Sequence, residues 1–312
     1  MSIIVIWSIA IDNIFQYENN LKNAIEKETI DWKINMSIRI NSYYNWHWWT
    51  GLNSSYNFAL LWEDTVLVWA VWKDFIFDDF IKENVTLNYI YKSQLLPSSH
   101  SQITKDSCWN QFSVFYPWAM EKADYLQLST VSENLNYALI TSTKKEAMFF
   151  YLEQLKEIWT KIFFDPGQQI STMNKEELDL IIRKANFLII NSHEFTLFKK
   201  ISKLTAEEIT NSFEKVIVTF WKNGSKILSK NWIIEIPAIQ NENFIDDIWT
   251  GEAYRSWLIK AINEWLSWKT AWQVGTLLAS FSLWYQGAQN HFINKKQFEM
   301  MYASEYKEYI KL

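Results

Sequence analysis

Near the C-terminus, an acidic residue follows a short turn that leads into a helical pattern, within the segment Asp246–Trp257. The turn consists of Trp249, Thr250 and Gly251, and it becomes a G-x-G turn if glycine occupies its first position. Consecutive backbone N–H groups at a helix N-terminus form an anion hole that stabilises charge on a transferring phosphoryl group. Glu252, directly after the turn, is able to accept the proton of an attacking hydroxyl. An isolated Gly-Glu pair is by default explained as a helix cap, so this segment alone does not establish the phosphoryl-transfer interpretation.

A second loop with ligand-binding residue types runs from Asn45 to Asn53. Trp48 and Trp49 precede a helical pattern there, and a glycine pair at these positions would let a ligand approach the backbone closely. Asn53, in the first helical turn, is able to hydrogen-bond a sugar hydroxyl, and His47 is a further candidate for ligand contact. By itself such a loop is also explained as a packing turn.

The chain is unusually rich in tryptophan and poor in glycine. It has 19 tryptophans and 6 glycines among 312 residues, whereas about 7% glycine, or roughly 22 residues, is usual for a soluble domain of this length. Tryptophan also stands in turns where glycine is common, as in Trp221–Gly224. We hypothesise that most or all of these positions are UGA codons, which some bacterial lineages decode as glycine. The alternative is a tryptophan-rich carbohydrate-binding protein with aromatic platforms.

Charge and cysteine content argue against several classes of protein. The net charge is −5, with acidic and basic residues interspersed, so no basic face for nucleic acid is expected. The single cysteine, Cys108, rules out an internal disulfide and is typical of a reducing cytoplasm. Met1–Ile6 is too short and uncharged for a signal peptide, and no run of about 18 apolar residues predicts a membrane span. The histidines and the cysteine lack metal-site spacing. We expect a cytoplasmic protein without nucleic-acid or membrane partners.

Short apolar runs alternate with helical patterns along most of the chain, which is typical of a doubly wound α/β sheet. The runs predict buried parallel strands at Ile3–Ile6, Thr65–Val71, Tyr137–Ile140, Lys161–Phe164, Phe187–Ile190 and Val216–Phe220. The helical patterns lie at Asn53–Leu61, Lys144–Ile158, Gly251–Leu266, Thr270–Phe281 and Asn294–Tyr309. Thr205 and Glu208 predict a capping box that opens a further helix.

Two regions alternate polar and apolar residues with a period of two. These regions, Lys33–Tyr44 and Thr86–Tyr116, have the pattern of half-exposed antiparallel strands. We predict that they belong to a small β-sheet lid formed by residues at about 13–44 and 86–117. The lid is expected to be inserted into a single domain that covers residues 1–312.

The motifs, in this order and spacing, resemble the ribokinase/PfkB family of sugar and nucleoside kinases across nearly the whole chain. That family carries a glycine-pair loop with a downstream Asn near the N-terminus and a D-T-x-G-A-G-D signature near the C-terminus. Three further segments match its G-x-V-G-x-D, N-x-x-E and V-T-L-G-x-x-G elements: Trp69–Asp74, Asn191–Glu194 and Val218–Gly224. The glycine-containing matches become regular only when tryptophan is replaced by glycine, so the two hypotheses support each other.

Within the family, the chain is most similar to the adenosine-kinase-like branch of archaea and bacteria. Phe115–Met120, Phe164–Gln169 and Gly287–His291 match the strings F-Y-P-G-A-M, F-D-P-G-Q-Q and G-T-Q-N-H of that branch. The resemblance implies a ribokinase-like α/β fold with a mostly parallel sheet and a lid. It also implies a phosphotransferase that uses ATP and Mg²⁺ to phosphorylate the 5′-hydroxyl of a ribonucleoside, with adenosine as the first candidate substrate. The enzyme is expected to be a monomer or a homodimer. The alternative within the family is a ribokinase- or fructokinase-like sugar kinase.

The resemblance further implies roles for individual residues. The residues expected to bind the sugar are Asp12, Trp48, Trp49 and Asn53. The residues expected to form the anion hole are Trp249, Thr250 and Gly251. The residues expected on the ATP side are Thr219, Trp221 and Gly224, with Asn290 and His291 near the base. The residues expected to organise the Mg²⁺-bound triphosphate are Asn191 and Glu194, the latter as a metal contact through water.

Glu252 occupies the position of the family's catalytic Asp. The extra methylene moves the carboxylate by more than about 1 Å, and a misplacement of that order can cost about 10²-fold in rate. A shifted substrate would absorb this difference in an active enzyme, whereas a catalytically weak, ligand-binding homologue is the alternative. Arg255 follows the same turn, and we expect it either to touch phosphate or to form a surface ion pair.

Overall fold

The computed structural model describes residues 2–7, 10–31, 33–46, 50–61, 63–73, 75–108, 110–239, 245 and 250–311. The strands within these residues are β1 (Ser2–Ile6), β2 (Ala10–Tyr17), β3 (Thr29–Ile30), β4 (Lys33–Ile34), β5 (Ser42–Trp46), β6 (Thr65–Trp72), β7 (Val85–Thr86), β8 (Ile90–Ser93), β9 (Ser99–Asp106), β10 (Gln111–Tyr116), β11 (Leu135–Ile140), β12 (Lys161–Phe164), β13 (Phe187–Asn191), β14 (Lys215–Thr219), β15 (Ser225–Ser229) and β16 (Trp232–Ile236). The α-helices are α1 (Leu21–Lys27), α2 (Thr50–Ala59), α3 (Asp79–Asn84), α4 (Lys145–Glu157), α5 (Lys175–Lys184), α6 (Ser192–Ser202), α7 (Ala206–Ser212), α8 (Thr250–Asn263), α9 (Trp268–Ser282) and α10 (Lys295–Tyr306). Short 3-10 helices lie at Trp118–Lys122, Leu128–Thr130, Gly167–Thr172 and Trp221–Asn223.

Ten of the described strands form a central, mostly parallel sheet in the order β16-β15-β14-β13-β12-β11-β1-β6-β7, with β8 also paired to β6. The strands from β14 through β1 to β6 are parallel, whereas β15 and β16 pair antiparallel at one edge. Parallel strands are covered by helices on both faces and therefore need continuous apolar runs. The six predicted strands agree with β1, β6, β11, β12, β13 and β14 to within two residues at each end. The doubly wound α/β fold is confirmed.

Side-chain caps define where several flanking helices begin. Capping boxes open α5, α6, α7 and α10, and the predicted pair of Thr205 and Glu208 forms the box of α7. The five predicted helices are confirmed as α2, α4, α8, α9 and α10, with ends that differ by up to three residues. None of the helices within the described residues is long and apolar enough to cross a lipid bilayer.

A separate four-stranded sheet, in the order β10-β9-β2-β5, forms the lid. The predicted lid segments are wrong in two places. β8, inside the predicted segment 86–117, pairs with β6 in the central sheet, and residues 35–40 form no strand. In addition, β2 is parallel to β9 and antiparallel only to β5. A strand at the edge of the central sheet is half exposed as well, so period-two alternation alone does not distinguish the two sheets.

Two tryptophans occupy backbone positions that favour glycine. Trp159 and Trp265 have φ angles of 62° and 61°, and they follow α4 and α8, respectively. In each case the tryptophan N–H bonds to the carbonyl three residues back, and the next N–H bonds to the carbonyl five residues before it, at distances between 3.0 and 3.3 Å. This pair of bonds is the Schellman C-cap, whose left-handed residue is usually glycine. A residue with a Cβ pays about 1–2 kcal/mol in this conformation.

Further tryptophans conflict with their surroundings. Among the described residues, seven non-glycine residues have positive φ, and four of them are tryptophans, including Trp118 and Trp221. In the core, Trp7, Trp69 and Trp257 are buried, yet their indole N–H groups have no hydrogen-bond partner within the described residues. A buried indole normally finds a partner, and an unsatisfied buried donor costs about 1–3 kcal/mol. Both observations are consistent with glycine at tryptophan positions.

Replacing Trp159 or Trp265 by glycine is expected to raise the free energy of unfolding of the full chain by about 1 kcal/mol each, because glycine adopts the left-handed conformation without steric cost. Chemical unfolding measures this change. The matched controls are Trp159→Ala and Trp265→Ala, which remove the indole but keep the Cβ, and they are expected to gain less. Alanine variants as stable as the glycine variants would show that backbone conformation is not the cause.

Candidate active site

Polar residues follow three neighbouring strands of the central sheet, at the point where each strand ends. Thr141 comes directly after β11, Asp165 comes directly after β12, and Asn191 is the last residue of β13. Because these strands are parallel and adjacent, their carboxyl ends lie at the same edge of the sheet. Ligands of open α/β sheets bind at this edge. The carboxyl edge is therefore the candidate active site.

A buried ion pair joins helix α8 to this edge. Asp165 is fully buried, and its Oδ2 lies 2.5 Å from Nε of Arg255. The N–H of Gly167 donates to Oδ1 of the same carboxylate at 3.1 Å, and the hydroxyl of Thr141 donates to Oδ2 at 3.4 Å. The Arg255 side chain is only 19% exposed. The expectation of a surface ion pair is therefore wrong, because Arg255 pairs with a carboxylate that is fully buried just after the end of β12.

The first turn of α8 carries the described residues of the predicted anion hole. Thr250 and Gly251 are the first two residues of this 14-residue helix, and helix N-termini carry a partial positive charge. A Cβ on Gly251 would lie 3.3 Å from Nη1 of Arg255, so the guanidinium lies against this turn. Trp249, the third predicted member, lies outside the described residues.

Glu252 is the third residue of α8, and it is 6% exposed. Burial opposes the charge of the neighbouring Arg255, but the carboxylates of Asp165, Glu252 and Glu194 outweigh this effect and raise the pKa of Arg255. The structure therefore brings two predicted residues, Glu252 and Glu194, into one electrostatic cluster with Asp165 and Arg255. The cluster contains a candidate base, Glu252, and carboxylate oxygen atoms of the kind that bind cations.

Asn191 and Glu194 form the capping box of α6. Oδ1 of Asn191 accepts from the N–H of Glu194 at 2.8 Å, and Oε2 of Glu194 accepts from the N–H of Asn191 at 2.9 Å. Burial, followed by repulsion from Asp165, raises the pKa of Glu194 to about 7. Within the described residues no three acidic, histidine or cysteine side chains form a ready-made metal cage. Mg²⁺ usually keeps several waters and binds one or two carboxylates plus substrate phosphates, so the oxygen atoms of Glu194 fit a water-mediated contact.

On the substrate side, Asp12 and Asn53 are both buried. Asp12 lies on the lid strand β2, and Asn53 lies in helix α2. Oδ1 of Asn53 accepts a hydrogen bond from Nε2 of Gln289 at 2.8 Å, whereas its Nδ2 has no partner within the described residues. Asn53 therefore keeps one buried donor for a ligand. The other candidates on this side lie outside the described residues: His47, Trp48 and Trp49.

The turn between β14 and β15 carries the residues predicted for the ATP side. Thr219 ends β14 in register with Asn191 of β13, so it lies at the same carboxyl edge. Gly224 has a φ of 82°, and a Cβ there would come within 2.1 Å of the carbonyl oxygen of Ile236. Only glycine fits at that position. Trp221, with a φ of 50°, is exposed in the same turn.

The segment Gly287–His291 contains the two residues predicted to lie near the base of ATP, Asn290 and His291. Asn290 is exposed, and its Nδ2 donates to the carbonyl of Gln286 at 2.7 Å. His291 is buried, and burial lowers its pKa to about 4. Gln289 is the residue of this segment that contacts the predicted sugar site, through Asn53.

Two residues of the site, Asp165 and Gln289, are not among the residues with a predicted role. A usable signal existed for Asp165, since an acid directly after a buried parallel strand falls at the ligand-binding edge. Gln289 lies in the matched segment Gly287–His291, but no local pattern identifies its partner, which is 236 positions away.

Comparison with known proteins agrees with this architecture. The model of the pfkB family carbohydrate kinases matches residues 50–295. The chain is 27% identical over 263 residues to a nucleoside kinase of Methanocaldococcus jannaschii, with 82% of this chain and 85% of that protein covered. It is 25% identical over 235 residues to a nucleoside kinase of Methanothermobacter thermautotrophicus, with 73% and 75% covered.

Solved structures show the same fold. The structure of a Burkholderia thailandensis nucleoside kinase in complex with inosine superimposes with a TM-score of 0.88 at 21% identity, covering 99% of this chain and 100% of that one. The structure of the Methanocaldococcus jannaschii nucleoside kinase has a TM-score of 0.85 at 23% identity, with 98% and 99% covered. Because the family model spans well over half of its residues, the chain belongs to the pfkB family of carbohydrate kinases.

Proposed function

We propose that this chain is an ATP-dependent nucleoside kinase that phosphorylates the 5′-hydroxyl of a ribonucleoside, with adenosine as the first candidate. Family membership supports phosphoryl transfer to an alcohol, and the two relatives described above are named nucleoside kinases. The observation that carries the proposal is the buried Glu252 in the first turn of α8, beside the carboxyl edge of the sheet. A base and a helix N-terminus that share one turn suit the transfer of a phosphoryl group to a hydroxyl.

In the proposed reaction, the carboxylate of Glu252 accepts the proton of the 5′-hydroxyl as the hydroxyl oxygen attacks the γ-phosphorus of ATP. The bond between the γ-phosphorus and the β,γ-bridging oxygen breaks, and ADP leaves. The backbone N–H groups at the start of α8, at Thr250 and Gly251, stabilise the charge that develops on the transferring group. Asp12 and Asn53 hold the ribose hydroxyls and thereby orient the attacking oxygen. Catalysis of this kind consists mostly of positioning and electrostatic stabilisation.

Mg²⁺ would be held by the phosphates of ATP and, through water, by Glu194. When bound, the ion neutralises charge on the phosphates. Asn191 fixes the Glu194 carboxylate through the two hydrogen bonds of the capping box. Since the pKa of Glu194 is about 7 in the absence of the ion, a bound cation would favour its ionised form.

We also propose that the natural protein carries glycine at most of the 19 tryptophan positions. The positive φ angles of four tryptophans support this proposal, as do the buried indole N–H groups of three others, which have no hydrogen-bond partner among the residues that the structure describes. Peptide mass mapping of protein isolated from its source organism is expected to find glycine masses at these positions. Tryptophan masses throughout would overturn the proposal. The full chain with glycine at all these positions is called the glycine form below.

Replacing Glu252 by glutamine is expected to lower kcat for adenosine by at least about 10²-fold, because the amide cannot accept the proton. Glu252→Asp keeps a carboxylate about 1 Å away and is expected to stay within about 10²-fold of the parent. Both variants are made in the full chain, either with tryptophan as in the given sequence or in the glycine form, whichever phosphorylates nucleoside. The rate of ATP turnover is then measured.

The matched control is Glu264→Gln, which removes an acid beyond the other end of α8 and is expected to leave kcat unchanged. An unchanged kcat in the Glu252→Gln variant would remove Glu252 as the base. No turnover in either form of the chain would favour the ligand-binding homologue over the enzyme.

A further inference from the structure

Asn53 is held by a buried network of hydrogen bonds. Its side-chain Oδ1 accepts from Nε2 of Gln289 at 2.8 Å, and its main-chain carbonyl accepts from Nδ2 of Asn57 at 2.7 Å. Nε2 of His291 lies 2.9 Å from Oδ1 of Asn57, and the hydroxyl of Tyr56 donates to the carbonyl of His291 at 2.6 Å. The segment that contains Gln289 and His291 therefore holds Asn53 at both its side chain and its backbone.

The order of donors and acceptors in this network is consistent. Since the amide nitrogen of Asn57 donates to Asn53, its oxygen is left to accept, and His291 must donate from Nε2. Burial lowers the pKa of His291 to about 4, so the ring is neutral near pH 7 and carries its proton on Nε2. The His291 contact thus holds Asn57 in the orientation that supports the Asn53 backbone.

Gln289 decides which polar atom of Asn53 remains for a ligand. Its Nε2 is only a donor, so it binds the oxygen of the Asn53 amide and leaves the nitrogen. That nitrogen is buried and has no partner within the described residues, and Asn53 itself is 0% exposed. Native proteins rarely leave a buried donor unsatisfied. An oxygen atom of a bound ligand would satisfy it.

We propose that Gln289 is a positioning residue that makes Asn53 a hydrogen-bond donor toward one ribose hydroxyl. This inference rests on the proposed binding of a ribonucleoside. A hydroxyl has one proton to give and lone pairs to accept with. If it donates to the carboxylate of Asp12, it needs a donor on its other side, and the orientation set by Gln289 supplies one. Recognition of the hydroxyl then depends on a glutamine that does not touch the ligand.

The test compares the binding of adenosine with the binding of 2′-deoxyadenosine and 3′-deoxyadenosine, measured by calorimetry on the full chain. Gln289→Glu keeps the size of the side chain, but its carboxylate only accepts hydrogen bonds. The Asn53 side-chain amide must then rotate by about half a turn. Its nitrogen then donates to the new carboxylate, and its oxygen faces the ligand. The preference for adenosine over the analogue that lacks the contacted hydroxyl is expected to fall about 10-fold or more.

Gln273→Glu is the matched control, because Gln273 is also buried but bonds the hydroxyl of Tyr302 through its oxygen, a contact that a carboxylate preserves. It is expected to leave the preference unchanged. In an Asn53→Ala background, Gln289→Glu is expected to have no further effect on the preference. If Gln289→Glu fails to fold, Gln289→Met removes the donor without adding charge and is expected to lower the preference as well.

An unchanged preference in a folded Gln289 variant, or an equal loss in the Asn53→Ala background, would overturn the role of Gln289 and leave the proposed function intact. Failure of the parent chain to bind adenosine at all would overturn both. Because the experiment measures binding, it tests the role of Gln289 even if the chain binds nucleoside without phosphorylating it.

Discussion

The buried ion pair between Asp165 and Arg255 is the contact on which the candidate site depends. It joins the end of β12 to α8, and the guanidinium also lies against Gly251 in the first turn of that helix. Removing one partner of such a pair costs about 3–5 kcal/mol, because the other charge stays buried without compensation. The pair thus fixes where the helix N-terminus and Glu252 stand relative to the sheet edge. Placement of this kind is the main contribution a protein makes to phosphoryl transfer.

The backbone imposes a second constraint. Gly224 has no room for a Cβ beside the carbonyl of Ile236, and the Schellman caps after α4 and α8 place Trp159 and Trp265 in a conformation that glycine adopts most readily. The tight turns of this fold therefore favour glycine at positions where the sequence has glycine and also at positions where it has tryptophan. The composition and the backbone angles lead independently to the same conclusion about those positions.

Much of this architecture could be predicted from the sequence, because parallel strands and capped helices leave local patterns. The apolar runs located β1, β6 and β11–β14, and the pair of Thr205 and Glu208 located the start of α7. The limits of the lid could not be predicted, since β8 is a half-exposed edge strand of the central sheet and shares the period of the lid strands. Contacts between distant segments, such as Asp165 with Arg255 and Gln289 with Asn53, leave no local pattern.

We propose that the carboxyl edge of the sheet and the first turn of α8 together transfer a phosphoryl group from ATP to a ribonucleoside. The most direct measurement incubates the chain, in its printed and glycine forms, with ATP, Mg²⁺ and either adenosine, ribose or fructose, and identifies the products by phosphorus NMR and mass spectrometry. The account predicts adenosine carrying one phosphate on its 5′-oxygen, together with ADP, and much slower turnover of the free sugars. Faster phosphorylation of a free sugar than of any nucleoside, or a phosphate on another oxygen of adenosine, would contradict it.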